Sequence, residues 1–171
     1  FFSNDYNLPV FVKEPDLNDS STPNATARRR TIPEQFNEFC TALYQGKDID
    51  NMADMETLAS YILANDLALN QELGHPKSIF MFKEKENSSS SKYKFGPIWD
   101  FDWGFGYETG HSYCYNGTTS GLLNSSMYNE AGYKFFRDLM NLESFKKYYY
   151  KTWVEFINNN SKSIKLRQAN C

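Results

Sequence analysis

The run Gly96-Pro97-Ile98-Trp99-Asp100-Phe101-Asp102-Trp103-Gly104-Phe105-Gly106 limits the fold more than any other part of this chain. Gly96-Pro97 sets a turn or a strand entry, and Ile98-Trp99 reads as a short buried strand. Asp100 then falls where that strand ends, and Gly104 and Gly106 let the backbone turn away. Two carboxylates one residue apart, set among rings, are costly to bury unless something cationic neutralises them. The run therefore points to a cation or a phosphate-bound metal at a strand end. It also reads as an alternating strand of Trp99, Phe101, Trp103 and Phe105, whose Asp pair caps the turn that follows.

A chain of 171 residues, 40% hydrophobic and 17% aromatic, has the length of one domain and the apolar content for a real core. The net charge of −3 gives no argument for a nucleic-acid or anionic-membrane surface. Arg28-Arg29-Arg30 is the single basic run, and beside Ser-Thr-Pro-Asn it reads as an exposed loop. No apolar stretch approaches the ~20 residues of a membrane span, and no signal peptide is visible. The chain starts at Phe1 without a Met, which reads as a fragment or a processed product. Cys40, Cys114 and Cys171 are odd in number and lack metal-type spacing, so they define neither a disulfide framework nor a zinc site. Cys40 falls in a helical pattern and reads as a small core residue.

In chain order, residues 1–32 read as an irregular lead-in, with Leu8 to Val12 as one short strand. Thr31-Ile32-Pro33-Glu34 predicts a helix start, proline in the first turn and an acid near the N-terminus. Phe36, Phe39, Cys40 and Leu43 continue at helical spacing until Gly46. Met52 to Leu69 is the strongest helical pattern, and the polar Asn65-Asp66 within it predicts a hydrogen-bonded pair closing the helix against a neighbouring loop. Asn70 to Lys77 is that loop. Ser78 to Lys83 and Lys92 to Trp99 are the arms of a β-hairpin with a solvated tip. Residues 107–129 read as a long polar loop. From Tyr128 or Gly132 the pattern is helical again, with Asn141 as the cap between two helices and Glu143 in the first turn of the second. The aromatic stripe of that last helix, Phe145 to Ile157, reads as core packing.

The string Asn65-Asp66…Asn70-Gln71-Glu72-Leu73-Gly74-His75-Pro76-Lys77-Ser78-Ile79-Phe80-Met81-Phe82-Lys83, followed by the Trp99-Asp100-Phe101-Asp102 block, resembles the spore-coat CotH family of atypical protein kinases. Val12-Lys13-Glu14-Pro15-Asp16 is similar to that family's Lys-x-Pro segment, and Asn141 to Trp153 to its closing helix. The resemblance spans nearly the whole chain. It implies a mainly α (α+β) fold: a protein-kinase-like C-terminal lobe of helices plus a β-hairpin carrying the acidic site. It also implies that Glu72 takes the catalytic acidic position, where Asp is commoner, and that Ser78 takes the metal-side polar position, where many relatives have Asn. Asp100 would be the catalytic metal-binding carboxylate, Asp102 a second ligand or an orienter, and Lys77 a phosphate contact, with Lys13 a further candidate; both lysines also read as ordinary surface residues.

By that resemblance the implied activity is phosphoryl transfer from ATP to protein hydroxyls, dependent on Mg²⁺ or Mn²⁺. Residues 1–32 are too few to build the nucleotide-covering N-terminal lobe, so the chain is expected to be incomplete without it. The family implies an extracellular or cell-surface location. Two other classes stay open on the residues alone. One is a non-catalytic, pseudokinase-like surface interaction domain whose acidic pocket only binds a divalent ion. The other is a glycosidase-like pair of Glu72 with Asp100 or Asp102, which the hairpin order disfavours.

Overall fold

The computed structural model describes residues 1–68, 70, 73–74, 78–85, 90–102, 104 and 131–168, with side chains as far as Ser161. Its elements run α1 (Ala25–Tyr44), α2 (Met55–Leu67), β1 (Met81–Phe82), β2 (Lys94–Phe95), α3 (Ala131–Asn141) and α4 (Glu143–Gln168). Among the described residues the chain is mainly helical with one two-stranded antiparallel sheet, the α+β content that the sequence predicts.

The start of α1 departs from expectation. The helix opens at Ala25 and carries Pro33 inside it, so Arg28-Arg29-Arg30 is helical rather than loop and the lead-in ends before residue 32. An internal proline removes a ladder donor and crowds the preceding turn. Here an early turn is tied from outside the helix: the Arg29 guanidinium donates to the Leu17 carbonyl. The far end follows the sequence. Gly46 at φ +66° lets the chain leave, its N–H donating to the Leu43 carbonyl and the Lys47 N–H to the Ala42 carbonyl, both at 2.9 Å. Leu8 to Val12 forms no strand, since Pro9 has no N–H for a ladder and makes only an isolated bridge with Phe2.

Helix α2 starts later than Met52 because Asp54 caps it, accepting the Thr57 N–H at 3.1 Å. Just before the cap, Ala53 bridges Tyr93 in parallel: the Tyr93 N–H donates to the Met52 carbonyl and the Asp54 N–H to the Tyr93 carbonyl, both at 2.8 Å. The start of α2 is thereby fixed to the second arm of the hairpin. The hairpin that the sequence predicts forms, with shorter arms, pairing Met81 with Phe95 and Phe82 with Lys94. Gly96, at φ +127°, donates its N–H to the Phe80 carbonyl at 3.0 Å and then turns the chain off the sheet, a conformation that suits glycine.

The core gathers side chains from every helix. Phe39 and Leu43 of α1, Leu58 and Ile62 of α2, Leu139 of α3 and Phe145 of α4 are all buried. Each such side chain contributes about 1.5–3 kcal/mol relative to leaving it in water. Cys40 is buried among them, and burial pushes its thiol up to about 12, which fits a core residue rather than a nucleophile. Between α3 and α4 it is Leu142, not Asn141, that stands at the junction; its carbonyl accepts the Lys146 N–H at 2.9 Å. The aromatic stripe of α4 divides. Phe145 is buried and Tyr149 packs against the core, whereas Tyr150, Trp153, Val154 and Ile157 are exposed, so the reading of the whole stripe as core is corrected.

Candidate active site

The site is built from two stretches of chain that leave α2 and return to it. The first begins where α2 ends. Asn65, buried in the last turn, donates from its amide to the Tyr61 carbonyl at 2.8 Å. Its Oδ1 accepts from the amide of buried Asn70 at 2.9 Å, and the Asn70 N–H donates to the Asn65 carbonyl at 2.9 Å. Of the polar pair in the helical stripe, Asn65 closes the helix against the loop, as its sequence setting predicts, with Asn70 the partner that sequence reasoning did not single out. Asp66, the other member, accepts the Tyr149 hydroxyl at 3.1 Å. Burial first, and then the Asp66 carboxylate, push the Tyr149 phenol above its ordinary value.

A little further on the loop is clasped by α3. A methyl added at Gly132 would sit 2.0 Å from the Leu73 carbonyl oxygen, and one added at Gly74 would sit 1.9 Å from the Tyr133 ring. Neither position has room for a Cβ, so Leu73-Gly74 and the first turn of α3 meet backbone to backbone. Sequence reasoning missed Gly132; a glycine inside a helical pattern, costly to helix stability, was the available signal. Glu72 and Lys77 lie outside the described residues, as do Trp103 and Phe105. What is placed is the frame on either side of Glu72.

The second stretch is the hairpin and its continuation. The hairpin brings Ser78, ahead of β1, to Asp100, beyond β2: the Ser78 hydroxyl donates to Asp100 Oδ2 at 2.7 Å. Asp100 has φ 59°, the left-handed region that Asp and Asn tolerate better than other side chains. Asp102 follows two residues on and is exposed. The chain then folds back on α2: the Gly104 N–H donates to the Phe101 carbonyl at 2.9 Å, and a Cβ at Gly104 would lie 3.2 Å from the Ala68 carbonyl. Ala68 caps the C-terminus of α2, two residues before Asn70, so the acidic run and the Asn70 loop are neighbours at one end of α2.

One expectation fails here. The acidic pair does not end a buried strand: Asp100 and Asp102 are exposed, and Ile98 and Trp99 are 51% and 63% exposed. The strand ladder stops at Phe95 and the turn at Gly96 carries the following residues out of the core. The argument from the cost of burying two carboxylates therefore does not apply. Among the described residues no group of three or more His, Cys, Asp or Glu side chains is placed to hold a metal. The donor set on offer is an exposed carboxylate, a hydroxyl bonded to it and a second exposed carboxylate nearby. That suits Mg²⁺, which binds through one or two carboxylates and keeps several waters, better than an ion needing an all-protein cage.

Beside this pair, beginning at Ile79, lies a cavity of about 530 Å³ between the hairpin, α1 and the lead-in, lined by Val10, Phe36, Phe80, Met81, Tyr93 and Phe95 among others. Lys13 and Lys83 reach its rim, their ammonium groups over the Phe80 and Tyr93 rings at 5.4 and 5.0 Å.

The helical frame presents an acidic, solvent-open hairpin end rather than a buried structural turn. The chain belongs to the CotH kinase protein family, which it matches over residues 12–165, and it is kinase-like at the level of that family. No curated protein and no solved structure matches it.

Proposed function

We propose that the chain is the C-terminal lobe of a CotH-type kinase that transfers a phosphoryl group from ATP to a protein hydroxyl with Mg²⁺ or Mn²⁺. The observation that carries this reading is the Ser78–Asp100 hydrogen bond, which spans 22 positions of sequence and fixes a solvent-open carboxylate at the base of the hairpin. Asp100 would hold the metal, with Asp102 beside it, and Ser78 would keep the Asp100 carboxylate in one orientation. The metal, when bound, supplies positive charge to the phosphate oxygens. Glu72, which in sequence follows Gln71 and precedes Leu73, would accept the proton of the acceptor hydroxyl, and Lys77 would contact phosphate. The N-terminal lobe of a kinase would cover the nucleotide. A family of spore-coat kinases fits work at an extracellular or cell surface.

The test is Asp100→Asn in the full polypeptide. The change keeps the shape and the left-handed backbone and removes one charge. Autophosphorylation with Mg²⁺ or Mn²⁺ should fall by roughly two to four orders of magnitude, because charge neutralisation at the transferring group dominates this chemistry. The thermal midpoint without metal should stay where it is. A fully active Asp100→Asn protein would end the metal-site reading. Retained metal binding with no transfer in the parent protein would favour the non-catalytic, metal-binding interaction domain.

A further inference from the structure

Six of the 17 asparagines in the chain stand in the triplet Asn-X-Ser/Thr, with X other than proline: Asn18, Asn24, Asn87, Asn116, Asn124 and Asn159. With 25 serines and threonines among 171 residues, chance placement would give roughly two or three such triplets, so asparagine content alone does not account for six. Asn87, Asn116 and Asn124 lie outside the described residues; Asn18, Asn24 and Asn159 lie within them, and all three are exposed. Asn24 stands directly before α1, yet its side chain makes no capping bond. Asn18 donates its main-chain N–H to Asp16 at 2.9 Å, and among the described residues neither its side chain nor that of Asn159 has a partner. The asparagines whose side chains are bonded, Asn37, Asn65, Asn70 and Asn160, all stand outside such triplets.

The structure thus sorts its asparagines into two groups. One group is spent on holding the fold, as Asn65 and Asn70 are. The other offers an idle amide to solvent with a hydroxyl residue two positions on, the acceptor pattern for N-linked sugar. Asn18, Ser20, Asn24 and Thr26 line one open hollow of the surface, so neither of these triplets is screened by the fold. We infer that Asn18, Asn24 and Asn159 carry N-linked glycans, taken from a lipid-pyrophosphate-linked oligosaccharide in a secretory compartment. The amide nitrogen attacks the anomeric carbon of the sugar and a C–N bond forms. The C–O bond to the pyrophosphate breaks, the lipid pyrophosphate leaves with the electron pair, and the amide gives up one proton to base. None of the three asparagines lines the cavity beside the hairpin, so glycans there leave it open. That compartment agrees with the cell-surface location proposed above, but the inference stands on these residues and not on phosphoryl transfer.

The test uses the parent polypeptide purified from the cells that make it. Peptide-N-glycosidase releases such glycans and turns each linked asparagine into aspartate. Electrophoretic mobility should rise on treatment, and in heavy-oxygen water positions 18, 24 and 159 should appear as labelled aspartate in the peptide masses. Ser20→Ala and Thr26→Ala, made in the same cells, remove one triplet each and keep both asparagines. Both side chains are exposed, so the circular dichroism of each variant should match the parent. Each variant should migrate as a protein lighter by one glycan. Unlabelled asparagine at all three positions would overturn the inference, as would two variants that both migrate with the parent. A parent protein labelled at these positions but unable to transfer phosphate would support it and count against the kinase reading alone.

Discussion

The two stretches that make up the candidate site are held in opposite ways. The described part of the loop, Asn70 and Leu73-Gly74, is dry: Asn65 and Asn70 are buried and bonded to each other, and Gly74 and Gly132 meet with no space for a methyl. The hairpin end is wet: Asp100 stands in solvent with its carboxylate accepting the Ser78 hydroxyl, and Trp99 beside it is largely exposed. A rigid, buried backbone fixes where a loop lies, whereas a hard cation needs room for its own waters at the carboxylate that binds it. The contrast implies that changes in the loop act first on folding, and changes at the hairpin end act first on chemistry.

The clasp is the place to break that contrast with the largest effect. In Gly132→Ala the new methyl meets the Leu73 carbonyl oxygen at 2.0 Å, and both partners are backbone, which cannot rotate away. The chain should lose roughly 3 kcal/mol, as other overpacked sites do, and a thermal melt reads it directly. A midpoint unchanged from the parent would mean that the loop can move, and the division into a dry and a wet half would fail. Next in size is Asn65→Ala. It removes the bond that Asn65 donates to the Tyr61 carbonyl and the one it accepts from Asn70, and buried hydrogen bonds contribute about 0.5–1.5 kcal/mol each. A denaturant midpoint within error of the parent would show that water already reaches Asn70.

Much of this architecture is legible in the sequence, for reasons that differ from element to element. The hairpin is legible because two apolar runs flank a polar connector; its register, Met81 opposite Phe95, is a finding of the structure. The role of Asn65 is legible because a polar residue in an apolar stripe needs a partner. The start of α1 is not, since local rules stop a helix at proline and the contact that overrides them, Arg29 on the Leu17 carbonyl, is tertiary. The exposure of Ile98 and Trp99 is not, because apolar character alone cannot tell a buried strand from a chain that Gly96 has turned outward. The physical argument that drew attention to the acidic run, the cost of burying two carboxylates, does not survive, because Asp100 and Asp102 are exposed.

At the hairpin end the effects on stability should be smaller. Asp100 sits at φ 59°, where Asn is tolerated and a Cβ with no polar tip gains nothing locally. Asp100→Ala should therefore cost about 1 kcal/mol while Asp100→Asn costs close to none, so the two melts separate backbone preference from charge. If both variants melt together, the left-handed conformation is not maintained in solution and the carboxylate is not held as described.

The smallest change in stability, and the sharpest test of the wet half, is Ser78→Ala. The hydroxyl is only partly buried and its carboxylate partner is exposed, so water can replace the lost bond. Hydrogen bonds of that kind contribute about 0.5–1 kcal/mol at most, which leaves the thermal midpoint almost unmoved. Orientation is another matter. Without the hydroxyl the Asp100 carboxylate is free to rotate, and a ligand off by a fraction of an ångström loses part of its effect on the transferring phosphate. Transfer should fall about tenfold, with a weaker response to added metal, and Ser78→Thr, which keeps the hydroxyl, should recover most of it. A Ser78→Ala chain with full activity and unchanged metal dependence would show that the bond merely closes the hairpin. One that is inactive because it has unfolded would show that the wet end is as structural as the dry one.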